Sequence, residues 1–171
     1  MRTIITDHPR GSEWRIWDLH IHTPASFHWA DGATFLALDE EGKDKAITKA
    51  IAAINKSPVS VFAITDYWTL DGYKRIQSLR STTQVTKTVF PGIELRVEAA
   101  TDYRLNVQVI LSDQLSTQQL NDFLSKLQIR FGKDKSRPLS EEALKEYAKG
   151  PDDGKAKKHG FKAVDQLTDQ E

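Results

Sequence analysis

The segment Val59-Ser60-Val61-Phe62-Ala63-Ile64 does most to decide what this chain can fold into. It is short, nearly continuously apolar, and bracketed by stretches whose apolar residues recur at helical spacing. A strand that is apolar on both faces must be covered on both, which is the situation of a parallel strand inside an α/β fold. Before it, Ile47, Ala50, Ile51 and Ile54 predict a helix from Lys43 to Asn55, stopped by Ser57-Pro58. After it, Leu70 to Leu79 is expected to be helical, with Asp71 as N-cap and Tyr73, Ile76 and Leu79 turned inward.

The rest of the chain extends this pattern. From Arg15 to His22, Trp17, Leu19 and Ile21 alternate with Asp18, His20 and His22. A period of two makes this a strand with the first set on a buried face and the second set together on the other. Thr23-Pro24 ends it, because proline cannot continue a ladder. Residues 24–42 read as a long loop. Thr88 to Val97 is a third strand region, expected to break at Pro91-Gly92. Leu105 to Leu111 is a fourth, with Leu105, Val107, Val109 and Leu111 on one face. Ser116-Thr117-Gln118-Gln119 has the form of a capping box, opening a helix striped by Leu120, Phe123, Leu124, Leu127 and Phe131.

The order β-loop-α-β-α-β-β-α predicts an α/β domain over 13–131, with about four mainly parallel strands and flanking helices. Residues 1–12 read as an arm. Residues 132–171 read as a polar tail or linker, partly disordered, with a short helix at 140–149.

Composition narrows the chemistry. A chain of 171 residues suits one domain with a genuine core. Its formal net charge is zero, which argues against nucleic-acid binding driven by bulk positive charge and leaves a local basic patch open. The sequence has no cysteine, so disulfides, thiolate zinc sites and a cysteine nucleophile are excluded. Any metal must be held by imidazole and carboxylate, ligands that suit zinc, manganese or iron. No apolar run approaches the roughly 20 residues that span a bilayer, and the N-terminus lacks a signal-peptide core. A cytoplasmic protein without a membrane partner is the expectation.

Against that background His20-x-His22 stands out. Two histidines two apart on a strand point the same way, so both imidazoles can reach one ion; the other reading is a solvated polar face. His28 lies past a proline bend and could turn back to the same ion or a neighbouring one. Asp66 follows an apolar strand, at the end where ligands gather in α/β sheets, or else caps the next turn. Glu94 sits between Ile93 and Leu95, where an unpaired carboxylate is costly; a metal or Arg96 would satisfy it. Asn106 and Gln108 fall on the functional face as polar neighbours. Trp14, Trp17, Trp29 and Trp68 read as packing groups rather than base-stacking ones, and His8 and His159 as solvated.

In order and spacing, Trp17-Asp18-Leu19-His20-Ile21-His22-Thr23, Ala63-Ile64-Thr65-Asp66 and Pro91-Gly92-Ile93-Glu94 resemble the three early motifs of the PHP (polymerase and histidinol phosphatase) superfamily. The wider strings Glu13 to Phe27 and Ile64 to Lys74 resemble the N-terminal PHP modules of bacterial PHP–ATPase proteins, some of them associated with phage defence. The resemblance covers about residues 13–131. It implies a distorted (β/α)7 barrel carrying two or three divalent metal ions, and phosphoesterase or nuclease activity. By the same resemblance His20, His22 and Glu94 bind metal and Glu94 bridges two ions. Asp66 is a ligand or orients one, with Asp66 and Glu94 the catalytic carboxylates, and His28 stands where some members have a further ligand.

Three departures accompany it. Tyr67 replaces the histidine that usually follows the second-motif aspartate, Asn106-Val107-Gln108 stands where a histidine often lies, and the late histidine and Asp-x-His ligands have no counterpart. Four strands make about half a barrel, which leaves a sheet edge unpaired. The expectation is a partial or truncated PHP-type barrel, either a piece of a longer protein or a shortened member that pairs with something: an ATPase, a missing C-terminal region or a second copy. Its partner in chemistry is a phosphoester, including nucleic acid. The alternative is a catalytically degenerate PHP domain serving as an interaction or regulatory module.

Overall fold

The computed structural model describes residues 14–26, 29–97, 105–131, 135–140, 142, 143 and 146. The arm over 1–12, His28 and the tail beyond residue 146 lie outside the described residues. Of the helix expected at 140–149, the described residues Glu142, Ala143 and Glu146 are helical.

Each element has a local cause. Strand β1 (Trp17–Ile21) leads through a single 3-10 turn at Phe35–Ala37 into helix α1 (Glu40–Lys56). That helix starts earlier than its apolar stripe, because the Asp39 side chain accepts from the Gly42 N–H and two acidic residues occupy the first turn. Strand β2 (Val61–Tyr67) is buried along its whole length, as its composition requires. Helix α2 (Asp71–Leu79) follows; its N-cap is Leu70, and Asp71, expected as the cap, is instead the first helical residue, ion-paired to Lys74 one turn on.

Strand β3 (Thr88–Val97) runs unbroken through Pro91-Gly92, against the expected break. The Pro91 carbonyl accepts from the Leu111 N–H, so its nitrogen faces the side on which the ladder to strand β4 (Leu105–Ile110) has ended. The missing donor costs only the reciprocal bond to Leu111, at the very end of that ladder. Helix α3 (Thr117–Lys126) opens on the expected capping box: the Ser116 hydroxyl accepts from the Gln119 N–H, and the Gln119 side chain accepts from the Ser116 N–H. It stops short of the predicted stripe. Leu127 is the C-cap, and Gln128–Phe131 is strand β5, antiparallel to β6 (Lys135–Pro138).

The main sheet has the order β1-β2-β3-β4, with the first three strands parallel and β4 antiparallel to β3. It is a curled half-barrel in a mixed α/β fold. Phe62, Ile64, Val89 and Ile93 project from one face onto Ile47, Ile51 and Ile54 of α1 and Leu70, Tyr73 and Ile76 around α2, and these form the core with Leu120 of α3. At roughly 25 cal/mol per Å² of apolar surface removed from water, this contact is the main source of stability.

The edge strand β1 departs from strict alternation. Trp17 stands beside Val61 and Asp18 beside Phe62, but Ile21 stands beside Ile64, so one extra residue is accommodated between Asp18 and Ile21. Such a bulge exchanges the faces on either side of it. Ile21 packs against the core, whereas Trp17, expected with it on a buried face, is 60% exposed. Trp14 is fully exposed as well, so these two tryptophans are not the packing groups their type suggested.

Candidate metal centre

The bulge and the parallel register together build the site. Beyond the bulge, His20 and His22 point away from the helix-covered face, and Glu94 of β3 points the same way from two strands over. The His20 Nε2 lies 2.8 Å from Glu94 Oε2, and the His22 Nε2 lies 3.5 Å from the same oxygen. The two imidazole rings meet edge to face, their centroids 5.2 Å apart. Glu94 is 1% exposed, His22 21% and His20 50%, so the group is closed on the protein side and open on the His20 side.

The set fits a divalent ion. Each of the three residues offers one ligand atom, and these atoms lie within 4.8 Å of one another. Imidazole nitrogens and a carboxylate oxygen are ordinary ligands of such an ion. A buried carboxylate needs partners, and Glu94 has the Asn106 amide at Oε1 and the His20 imidazole at Oε2.

Asp66, predicted as a ligand or as an orienting residue, lies outside this group. Its side chain follows Phe62 and Ile64 toward the opposite face of β2. There Oδ1 accepts from the Thr23 N–H at 2.6 Å and Oδ2 from the Thr23 hydroxyl at 2.7 Å. Its nearest approach to His22 is 4.0 Å, to Nδ1. Asp66 therefore clasps the residue that follows His22 and fixes where that imidazole leaves the strand. The clasp is roofed by the start of α2: a Cβ on Gly72 would lie 2.1 Å from Thr23 Oγ1 and 2.2 Å from Asp66 Oδ2, so only glycine fits there. Burial pushes the Asp66 carboxyl up to about 7, against the opposing effect of the two Thr23 donors.

Residues not expected as ligands complete the surroundings. Tyr67 stacks on His22, with ring centroids 5.2 Å apart and planes 8° from parallel. Burial, and then a hydrogen bond to Glu94, raise its hydroxyl above the ordinary phenol range, so it is a neutral phenol at neutral pH. Asn106 of β4 donates from one amide nitrogen to Glu94 Oε1 at 2.8 Å and to the Tyr67 hydroxyl at 3.2 Å. Arg96, expected as the alternative partner of Glu94, lies with its guanidinium carbon 5.4 Å from the centre of the Tyr67 ring. Directly after Tyr67, Trp68 takes a left-handed φ of 57°, and its N–H donates to the Glu94 carbonyl at 3.2 Å. A non-glycine residue held there is strained, and the strain falls at the turn that presents Tyr67. A signal for Asn106 existed in the strand alternation; one for Thr23 did not, because its partner comes from a different strand.

His20, His22 and Glu94 are thus brought together, Asp66 stands behind them, and His28 lies outside the described residues. No helix among the described residues is long and apolar enough to cross a membrane. No protein-family model, curated protein or solved structure matches the chain.

Proposed function

We propose that this chain is a PHP-type, metal-dependent phosphoesterase module, acting on phosphoester bonds that include those of nucleic acids, with phage defence the setting its sequence resemblance suggests. One observation carries the reading: two imidazoles from the end of β1 and a buried carboxylate from β3 converge within 4.8 Å, with the His20 side open. When bound, a divalent ion supplies Lewis acidity toward a phosphoryl oxygen and lowers the pKa of water at the site. The chain's own part is to hold that centre. His20 and His22 offer imidazole nitrogens as ligands, and Glu94 a carboxylate oxygen. Asn106 fixes Glu94 Oε1, which leaves Oε2 turned to the histidines. Asp66, through Thr23, sets the exit of His22 from the strand.

A second reading, a degenerate domain used for interaction or regulation, is favoured by a different observation. Glu94 already has the His20 imidazole at one oxygen and the Asn106 amide at the other, so the carboxylate is satisfied within the chain. One experiment separates the two. The purified protein is titrated calorimetrically with zinc and with manganese, then assayed on a chromogenic phosphodiester and on single-stranded DNA with manganese. The enzyme reading expects tight metal binding, and hydrolysis that the His20→Ala/His22→Ala double variant abolishes. No metal uptake, or unchanged activity in the double variant, would sink it in favour of the scaffold.

A further inference from the structure

We infer that this centre is built for a single divalent ion, and that Asn106 withholds the second oxygen of Glu94 from a neighbouring one. The inference rests on the metal-centre reading above, and it departs from the two or three ions that the sequence resemblance implies. The ligand atoms are spaced for one ion. His20 Nε2 and His22 Nε2 lie 2.8 and 3.5 Å from the same oxygen, Glu94 Oε2. Nitrogen and oxygen ligands about 2.0–2.2 Å from a common ion stand roughly 3–3.5 Å from one another.

A second ion bridged by Glu94 would take Oε1, the oxygen that the histidines leave. That oxygen meets a donor. The Asn106 amide nitrogen donates to it at 2.8 Å and to the Tyr67 hydroxyl at 3.2 Å, which holds the amide on both sides. An amide nitrogen has no lone pair for a metal, and its hydrogen occupies an acceptor direction of Oε1. The two nearby carboxylates are engaged elsewhere. Asp66 gives one oxygen to the Thr23 N–H and the other to the Thr23 hydroxyl, and it approaches only the far ring nitrogen of His22, Nδ1, at 4.0 Å. Its clasp is sealed on the α2 side, where a Cβ on Gly72 would already lie 2.2 Å from Asp66 Oδ2. Asp18 turns back on its own strand and accepts from the His20 N–H at 3.2 Å. Among the described residues, His20, His22 and Glu94 form the one group of three or more such side chains spaced to hold an ion. A clamp on both the attacking and the leaving oxygen of a phosphoester takes two ions about 3.5–4 Å apart. The chemistry left to this centre is that of one ion, polarising a phosphoryl oxygen and lowering the pKa of water.

The test counts ions. The purified chain is stripped with a chelator and titrated with manganese and with zinc by calorimetry, and its metal content is measured after dialysis. One ion per chain is expected with each metal. The electron paramagnetic resonance of the manganese-loaded protein should show the hyperfine pattern of an isolated ion, because ions sharing a carboxylate couple magnetically. In Asn106→Asp a carboxylate replaces the amide beside Oε1, and the count is expected to rise to two, with a coupled spectrum. Two ions per wild-type chain, whether or not His28 recruits the second, would overturn the inference while leaving the metal centre standing. A count that stays at one in Asn106→Asp would overturn the part given to Asn106. No uptake by the wild type would instead remove the centre on which the inference rests. The wild-type count needs no variant, so it decides the question even if Asn106→Asp fails to fold.

Discussion

A carboxylate with no access to solvent must either be paired by strong donors or hold its proton, and Asp66 is poised between the two. Thr23 offers it two donors, yet burial still lifts its carboxyl from the ordinary value of 3.8 to about 7. Between those values the folded chain binds a proton that the unfolded chain has released. Stability from this group is therefore complete below about pH 3.8 and is lost as pH rises toward 7, with a slope of at most about 1.4 kcal/mol per pH unit. Asp66→Asn keeps the shape: the amide oxygen accepts from the Thr23 N–H, and the amide nitrogen donates to the rotated hydroxyl. In metal-free protein, urea unfolding between pH 4 and 7 is expected to show a decline in the wild type that is flatter in Asp66→Asn. Parallel declines would place the titration on another group. At this scale the sequence pointed to His20, His22, Asp66 and Glu94, and the fold brings His20, His22 and Glu94 together. The sequence did not disclose that Asp66 serves Thr23, because that contact spans 43 positions and belongs to the fold, not to a motif.

The elements were legible wherever burial imposed a period. The apolar run of β2, the stripes of α1 and α2 and the capping box of α3 each follow from local rules, and the structure contains them in the expected order. Two features broke local rules for a tertiary reason. The helical stripe through Leu127 and Phe131 gave way to β5, because pairing with Lys135–Pro138 takes the backbone hydrogen bonds of that segment. The bulge in β1 carried Trp17 out of the core face, although the alternation of residue types is uninterrupted. That difference has a measurable consequence. Trp17→Ser is expected to cost about 1 kcal/mol or less, as an exposed site, whereas Ile51→Ala, wholly buried, should cost about 2–5 kcal/mol. Urea midpoints of the two variants decide the matter. Equal losses would mean that Trp17 packs into the core after all.

At the level of the whole molecule, the α/β class and the mostly parallel sheet followed from the pattern of runs and stripes, while closure into a barrel did not. Among the described residues β1 pairs only with β2, so the strand that carries His20 is held to the sheet along one edge. Glu94 lies on β3, and its contact with His20 spans 74 positions. An ion held by His20, His22 and Glu94 would therefore tie the outermost strand to the interior one, a constraint that the unfolded chain cannot satisfy. Ligand binding to the folded state alone stabilises it by RT ln(1 + [L]/Kd), about 2.7 kcal/mol at a hundredfold excess over Kd. For a chain of this size that corresponds to a rise in Tm of roughly 5–10 °C. Thermal unfolding with manganese or zinc, and again after chelation, should show that rise and its reversal. Glu94→Gln should abolish it, because the amide removes the charge that offsets the ion. Hydrogen exchange locates the effect: amides of β1 should gain protection on metal addition, while those of α1, which touch no ligand, should change only with global stability. If saturating metal moved neither Tm nor the exchange of β1, the three side chains would be a polar cluster of the sheet and not a metal centre.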